Sequence, residues 1–148
     1  MPDNIDRFNK YAAHFFAKLY ERFPEPCVLD TVEAVTGSAL SEPVHQKTLQ
    51  DATTNPEVQF CCDALKWLHD TGYFKGDATL HYVQVSGAVL TPKGFEALNA
   101  VPETLQQTSL GTRLSQVAGE GAKEVSKAAI GELVGQVIGV ATKGFLQG

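Results

Sequence analysis

The chain has 148 residues, enough for one cored domain and an appendage. Its net charge of −5 argues against nucleic acid, whose phosphates favour a basic surface. The sequence contains no run of about 18 apolar residues, and its first residues lack the apolar segment of a signal peptide. Because its three cysteines (Cys27, Cys61 and Cys62) form no disulfide framework, we predict a cytoplasmic location, with contact at the inner face of a membrane as an alternative.

The first predicted element is an amphipathic helix over about Asn4–Arg22. Its aromatic and aliphatic residues recur at three- and four-residue spacings, which is typical of a helix that buries one face. Phe23–Pro26 ends this helix, because the residue before a proline disfavours helical backbone. Cys27–Leu29 is then predicted to be extended, and Asp30 caps a short helix over residues 31–35.

The middle of the chain contains one weak and one strong helix prediction. Ser41–Pro43 indicates a helix through about Gln50, but residues 38–54 give no firm pattern. Asn55-Pro-Glu57 is a much clearer helix start, with an N-cap, a proline in the first turn and an acidic residue at the positive end of the helix dipole. The helix that begins at Asn55-Pro-Glu57 is predicted to end near Thr71-Gly72.

A hairpin and two further helices are predicted next. Thr79–Val85 alternates as a strand, Ser86-Gly87 is the predicted turn, and Ala88–Thr91 is the returning strand. Thr91 then caps a helix over Pro92–Asn99. We divide the chain into a domain over residues 1–101, a linker over 102–112 and a glycine-rich C-terminal segment over 113–148, whose last long helix covers about residues 113–142.

This element order resembles a winged-helix domain. Ala64–Phe74 looks like a third helix that runs through a glycine into the first strand of a wing. Val89–Leu98 is similar to the Leu-Thr-x-x-Gly-x-x-x-Leu pattern of PadR-like and MarR-like proteins. The resemblance covers about residues 4–100 and implies an α+β, mainly helical fold: a winged-helix-like domain with a β-hairpin wing, followed by a long C-terminal helix. A helical domain with an inserted hairpin is the alternative. Winged helices recognise either DNA or protein, so the fold leaves the function open.

The helix in the recognition position is poorly suited to DNA. Over Pro56–Thr71 it carries three acidic residues against Lys66 and His69, whereas DNA-reading helices usually offer Arg, Lys, Asn or Gln. We therefore do not expect a nucleic-acid partner. A winged-helix transcriptional regulator is an alternative that would need four lysines to converge: Lys47, Lys66, Lys75 and Lys93.

No residue pattern indicates catalysis, a metal site or a cofactor. Cys61 and Cys62 are adjacent in a helix and lack metal-ligand spacing to the histidines, so buried, inert thiols are the simpler interpretation. No phosphate-binding loop or nucleophile motif is present, and we expect a protein that is not an enzyme and binds no cofactor. Trp67 and Tyr73 are candidate contacts for a protein partner, although core positions are the commoner use of such aromatics.

The C-terminal helix carries the most specific prediction. On a helical projection its aliphatic residues form one broad face: Ile130, Leu133, Val134, Val137, Ile138 and Ala141. Gly131, Gly135 and Gly139 follow at four-residue intervals on a flank that adjoins Glu132, Gln136 and Lys143. Each glycine costs a helix about 1 kcal/mol relative to alanine, so a stripe of three suggests close approach of another helix.

Three explanations of this helix compete: packing on the domain core or on a second copy, contact with a membrane, and weak order. We predict a non-enzymatic protein-interaction module that forms a homo-oligomer through Gly131, Gly135 and Gly139 and the aliphatic face, and that binds a protein partner not identified by the sequence. The alternatives are the transcriptional regulator described above and a membrane-associating or membrane-active effector.

Overall fold

A computed structural model of the chain describes residues 3–36, 55–79, 81–100, 108–120 and 127–147. In chain order, the described helices and strands are α1 (Asp3–Arg22), β1 (Cys27–Asp30), α2 (Thr31–Thr36), α3 (Pro56–Asp70), β2 (Phe74–Thr79), β3 (Gln84–Leu90), α4 (Pro92–Asn99), α5 (Leu110–Glu120) and α6 (Lys127–Gln147). The structure is mostly helical with a small antiparallel sheet, which confirms the α+β prediction. The helix predicted from Ser41 lies outside the described residues.

Three predicted helix caps are present. The Asp30 carboxylate accepts hydrogen bonds from two backbone N–H groups at the start of α2, at 2.9 and 3.1 Å. Asn55 Oδ1 accepts from the Glu57 N–H at 2.8 Å, and Thr91 Oγ1 accepts from the Gly94 N–H at 3.2 Å. Each side chain satisfies N–H groups that the first turn of a helix leaves without partners, which is why the local sequence predicts these starts well.

The predicted register of the hairpin is wrong. The strand expected at Thr79–Val85 is replaced by β2 and β3, and the chain reverses between them rather than at Ser86-Gly87. His81 and Tyr82 lie in this reversal, with φ of 57° and 71°. Positive φ is uncommon for residues other than glycine, so neither residue gave a turn signal in the sequence.

Gly87 has a different role from the one predicted. Asp77 pairs with Ser86 and Lys75 pairs with Val89, so β3 contains one residue more than β2 between these two pairs. Gly87, at φ +63°, lies inside this β-bulge. Glycine is favoured both in hairpin turns and in bulges, which explains how a correct glycine signal led to the wrong register.

The three strands form one antiparallel sheet in the order β1-β3-β2. A large core lies against it, built around the aromatic face of α1 with Phe15 and Phe16 fully buried. Leu65 and Leu68 of α3 and Leu98 of α4 complete the same core. The buried face of α1 therefore lies at the centre of the core, as its amphipathic pattern predicts.

The pattern Leu-Thr-x-x-Gly joins α4 to the end of α3. Thr91 Oγ1 donates to the carbonyl oxygen of Gly72 at 2.5 Å, and the Thr91 N–H donates to that of Tyr73 at 3.1 Å. A Cβ atom at Gly94 would overlap the Tyr73 carbonyl oxygen. The threonine and the glycine are thus required by close backbone contact between the two segments.

The structure describes two helices in the C-terminal segment. The helix predicted over 113–142 is α5 and α6, and residues 121–126 between them lie outside the described part. Leu110, placed in the predicted linker, begins α5. Leu110 and Leu114 of α5, together with Val134 of α6, belong to the same buried cluster as α1. Both helices therefore pack on the core of the preceding elements.

Candidate functional site

The aliphatic face of α6 packs against the chain's own core. Leu133, Val134, Val137 and Ala141 are buried, and Ile130 and Ile138 are partly buried against the same cluster. The residues predicted to form an association surface are therefore largely occupied inside the monomer. Of the explanations offered by the sequence, packing on the core describes this face of α6. In the described part of the chain, no helix combines the length and apolar character needed to cross a membrane.

The three glycines of α6 do not share one environment. A Cβ atom at Gly131 would lie 3.1 Å from Asn9 Nδ2, so this glycine allows α6 to approach α1 closely. Among the described residues, a Cβ atom at Gly135 or Gly139 would have no neighbour within 4 Å. We call Gly135 and Gly139 the glycine strip. The contacts of α6 with the other described elements explain the first glycine and leave these two unexplained.

An open groove of about 560 Å³ lies beside α6, between the N-terminal half of α1 and one face of α3. Its lining is Asn4, Ile5, Phe8 and Asn9 of α1, Phe60, Asp63, Ala64 and Trp67 of α3, and Ile138 of α6. We call it the aromatic groove. The residues from each of the two longer walls recur at the spacing of one helix face, so each wall is a continuous surface.

Trp67 and Tyr73, which the sequence proposed together as partner contacts, have opposite environments. Trp67 is 46% exposed, whereas Tyr73 is 1% exposed and belongs to the core. The Trp67 ring contacts the Phe8 ring edge to face, with 5.4 Å between centroids. Of the two residues, only Trp67 lies at a surface that a partner can reach.

A polar cluster fixes α1 against α3 next to the groove. The Arg7 guanidinium forms an ion pair with Glu57, and the Tyr11 hydroxyl donates to Glu57 Oε2 at 2.6 Å. These hydrogen bonds, from Arg7 first and then Tyr11, lower the pKa of the Glu57 carboxyl. Arg7 Cζ also lies 4.1 Å from the centroid of the Phe60 ring, so the same cation supports a groove residue.

The cysteines are not reactive thiols in this structure. Cys27, Cys61 and Cys62 are all buried and free of disulfides. Burial raises the pKa of each thiol, which keeps the nucleophilic thiolate scarce near neutral pH. Within the described ranges, no group of three or more histidine, cysteine or acidic side chains is arranged to hold a metal ion.

Two of the four lysines needed by a DNA-binding surface already have partners within the chain. Lys66 Nζ lies 2.8 Å from Asp70 Oδ2 in an ion pair. Lys93 Nζ donates to the Thr71 carbonyl oxygen at 2.6 Å. Lys75 is exposed on β2, and Lys47 lies outside the described residues.

The sequence did not reveal the aromatic groove, because its walls come from three helices that are distant along the chain. One signal was present: Phe60 and Trp67 lie seven residues apart on α3, beside the stripe that contains Cys61, Leu65 and Leu68. A second apolar stripe next to a buried one indicates a helix with two contact surfaces. Which other helix shares the second surface depends on the tertiary fold.

Comparisons of this chain with protein-family models, with curated proteins and with solved structures find no match.

Proposed function

We propose that this protein is a non-enzymatic protein-interaction module that self-associates through the glycine strip of α6. The observation that carries the proposal is the open space over Gly135 and Gly139 on a helix whose aliphatic face is already buried. Two glycines in the interior of one helix cost roughly 2 kcal/mol relative to alanine. Because no contact with the described residues accounts for this cost, we infer that an intermolecular contact does.

A second copy of the chain is the partner that fits this strip best. Two helices approach most closely when both lack side chains at the contact, and a two-fold pair brings the same strip of each copy together. The polar side chains that flank the strip are linked within one helix, where Gln136 Nε2 donates to Glu132 Oε1 at 3.4 Å. The narrow surface at the strip of one copy can thus pack against the same surface of a second copy.

The expected association is reversible and depends on protein concentration. The strip from Gly135 to Gly139 spans about 6 Å of helix axis at 1.5 Å per residue, which is short compared with a standard interface. The larger aliphatic residues of α6 remain committed to the monomer core. We therefore propose a homodimer in equilibrium with monomer rather than an obligate oligomer.

The scaffold that we propose for this module is a winged-helix-like domain over about residues 4–100. The element order α1-β1-α2-α3-β2-β3-α4 and the antiparallel sheet support the resemblance. In this arrangement α3 stands in the recognition position and the β2–β3 hairpin in the position of the wing. The engaged lysines Lys66 and Lys93 and the exposed Asp63 favour a protein partner over DNA for this face.

Membrane association through α6 is less well supported than self-association. To present its aliphatic face to lipid, α6 would have to expose Leu133, Val134 and Val137, which are now buried. Burial of each such side chain stabilises the fold by about 1.5–3 kcal/mol, so lipid contacts would have to compensate for the loss of this free energy at all three residues. The glycine strip requires no such rearrangement to meet a second copy.

The test is the solution mass of the full chain as a function of concentration, measured by light scattering. Wild type should shift from monomer to dimer, and Gly135→Leu should remain monomeric because its side chain fills the contact. Glu96→Leu is the matched control, since it adds the same side chain at an exposed position of α4. Circular dichroism checks that each variant is folded.

Two results would contradict the proposal. The first is a wild-type chain that stays monomeric at every concentration, and the second is a Gly135→Leu dimer of wild-type affinity. Equal losses in Gly135→Leu and Glu96→Leu would show that the effect is not specific to the strip. Duplex DNA at low salt, where phosphate contacts are strongest, tests the regulator alternative in the same samples.

A further inference from the structure

We propose that the aromatic groove binds an amphipathic helix of another protein, one that places a lysine or arginine beside its apolar residues. This inference goes beyond self-association and does not depend on it, because the groove and the glycine strip consist of different residues. The two sites also have separate readouts, since self-association changes the mass and groove binding changes the environment of Trp67.

The shape of the groove suits a helix. Its volume is about 560 Å³. Two helices, α1 and α3, form its long walls, and the groove is open to solvent between them. Helix-in-groove recognition uses apolar anchors at spacings of three, four and seven residues, and the apolar lining from α1 and α3 offers a surface for such anchors.

The apolar surface of the groove is exposed and preformed. Ile5 and Trp67, two of the four most exposed large apolar side chains among the described residues, both line it. The edge-to-face contact of Trp67 with Phe8 holds the indole in place before any partner arrives. Tryptophan in a fixed orientation is a frequent energetic centre of protein interfaces, because little side-chain freedom is lost on binding.

The charge of the groove indicates a basic partner. Asp63 is the charged residue of its lining, it is exposed, and it forms no ion pair with any other described residue. Two cations near this wall already have partners: Arg7 pairs with Glu57 and lies over the Phe60 ring, and Lys66, one helical turn from Asp63 on α3, pairs with Asp70. An apolar partner with a lysine or arginine near its anchors would neutralise Asp63, whereas an anionic partner would be repelled.

Trp67 is the single tryptophan of the chain, so its fluorescence reports on the groove directly. The probes are two synthetic amphipathic helices with the same leucine face, one with lysines and the other with glutamates on the polar face. We expect the lysine peptide to shift Trp67 emission to shorter wavelength in a saturable way. The glutamate peptide should bind at least about fivefold more weakly than the lysine peptide.

Two variants separate the contributions of charge and apolar contact. Asp63→Asn should weaken binding of the lysine peptide about threefold to fivefold, whereas Asp77→Asn, an exposed carboxylate on β2 outside the groove lining, should leave the affinity unchanged. Ile5→Ala should weaken both peptides about fivefold or more, because it truncates an apolar wall while retaining the reporter.

Each of five other outcomes would overturn the inference. Equal affinity for the two peptides, or equal losses in Asp63→Asn and Asp77→Asn, would show that charge does not select the partner. A shift of Trp67 emission with protein concentration alone would make a second copy the occupant. A shift with phosphatidylcholine–phosphatidylglycerol vesicles but not with peptide would make lipid the occupant. No shift with any probe would remove the site.

Discussion

Replacing Gly135 with alanine should stabilise the monomer and weaken the dimer. A Cβ atom at this position has no neighbour within 4 Å in the part of the chain that the structure describes, so the added methyl group clashes with none of these residues. Alanine in a helix interior is favoured over glycine by about 1 kcal/mol. For a chain of this size, that gain corresponds to a rise in melting temperature of about 2–4 °C.

The same methyl group has the opposite effect on association. In a two-fold pair each copy contributes one methyl group to the contact, and both helices must move apart to accommodate them. Inserting methyl groups into a close-packed contact costs about 1–3 kcal/mol, which corresponds to roughly fivefold to a hundredfold weaker association. Stability and association therefore change in opposite directions, which a general loss of structure cannot reproduce.

Thermal melts followed by circular dichroism at several protein concentrations measure both effects. In the wild type, the melting temperature should rise with concentration, because association stabilises the folded state by mass action. Gly135→Ala should melt higher than wild type at the lowest concentration and depend less on concentration. Glu96→Ala, an exposed substitution on α4, should retain the concentration dependence of the wild type.

Either of two results would refute this reasoning. A lower melting temperature for Gly135→Ala in dilute solution would mean that the position is packed within the monomer. A higher melting temperature with unchanged association would mean that Gly135 lies outside the interface.

Three further predictions concern the fold that supports these sites. Gly94→Ala should destabilise the protein by about 1–3 kcal/mol, measured by urea denaturation, because the new Cβ would overlap the Tyr73 carbonyl oxygen; an unchanged midpoint would contradict the close contact. Tyr11→Phe should cost about 1 kcal/mol in the same assay by removing the hydrogen bond to Glu57, and a neutral effect would show that this bond adds nothing. Burial lowers the pKa of His14 below its usual 6.5. As the pH falls through 6.5, the unfolded chain therefore binds more protons than the folded chain, and the free energy of unfolding should decrease. His14→Gln should lack this decrease, and a pH profile identical to that of the wild type would assign the titration elsewhere.

The elements that the sequence predicts well are those set by neighbouring residues. Asp30, Asn55 and Thr91 each cap a helix within two or three residues of themselves, so their effect does not depend on the rest of the fold. The amphipathic pattern of α1 likewise reports its buried face directly. These signals also gave the mainly helical α+β class.

Features that depend on distant residues were not predictable in the same way. Ser86-Gly87 is compatible with a turn or a bulge, and the choice depends on which strand pairs with β3. Gly131, Gly135 and Gly139 have the same spacing in the sequence, yet among the described contacts only Gly131 meets α1. The side chains of the aromatic groove come together only when α1, α3 and α6 have packed.

The central claim, contact between the glycine strips of two copies, is tested most directly by cross-linking at Gln136, which lies between the two glycines. The native thiols are buried, so Gln136→Cys adds a thiol of known position beside the strip. Under mild oxidation we expect a disulfide-linked dimer from Gln136→Cys, since disulfides form only when Cα atoms approach within about 7 Å. Glu96→Cys on α4 should remain monomeric. Equal cross-linking of both variants, or none at Gln136→Cys at concentrations where the wild type is dimeric, would contradict the account.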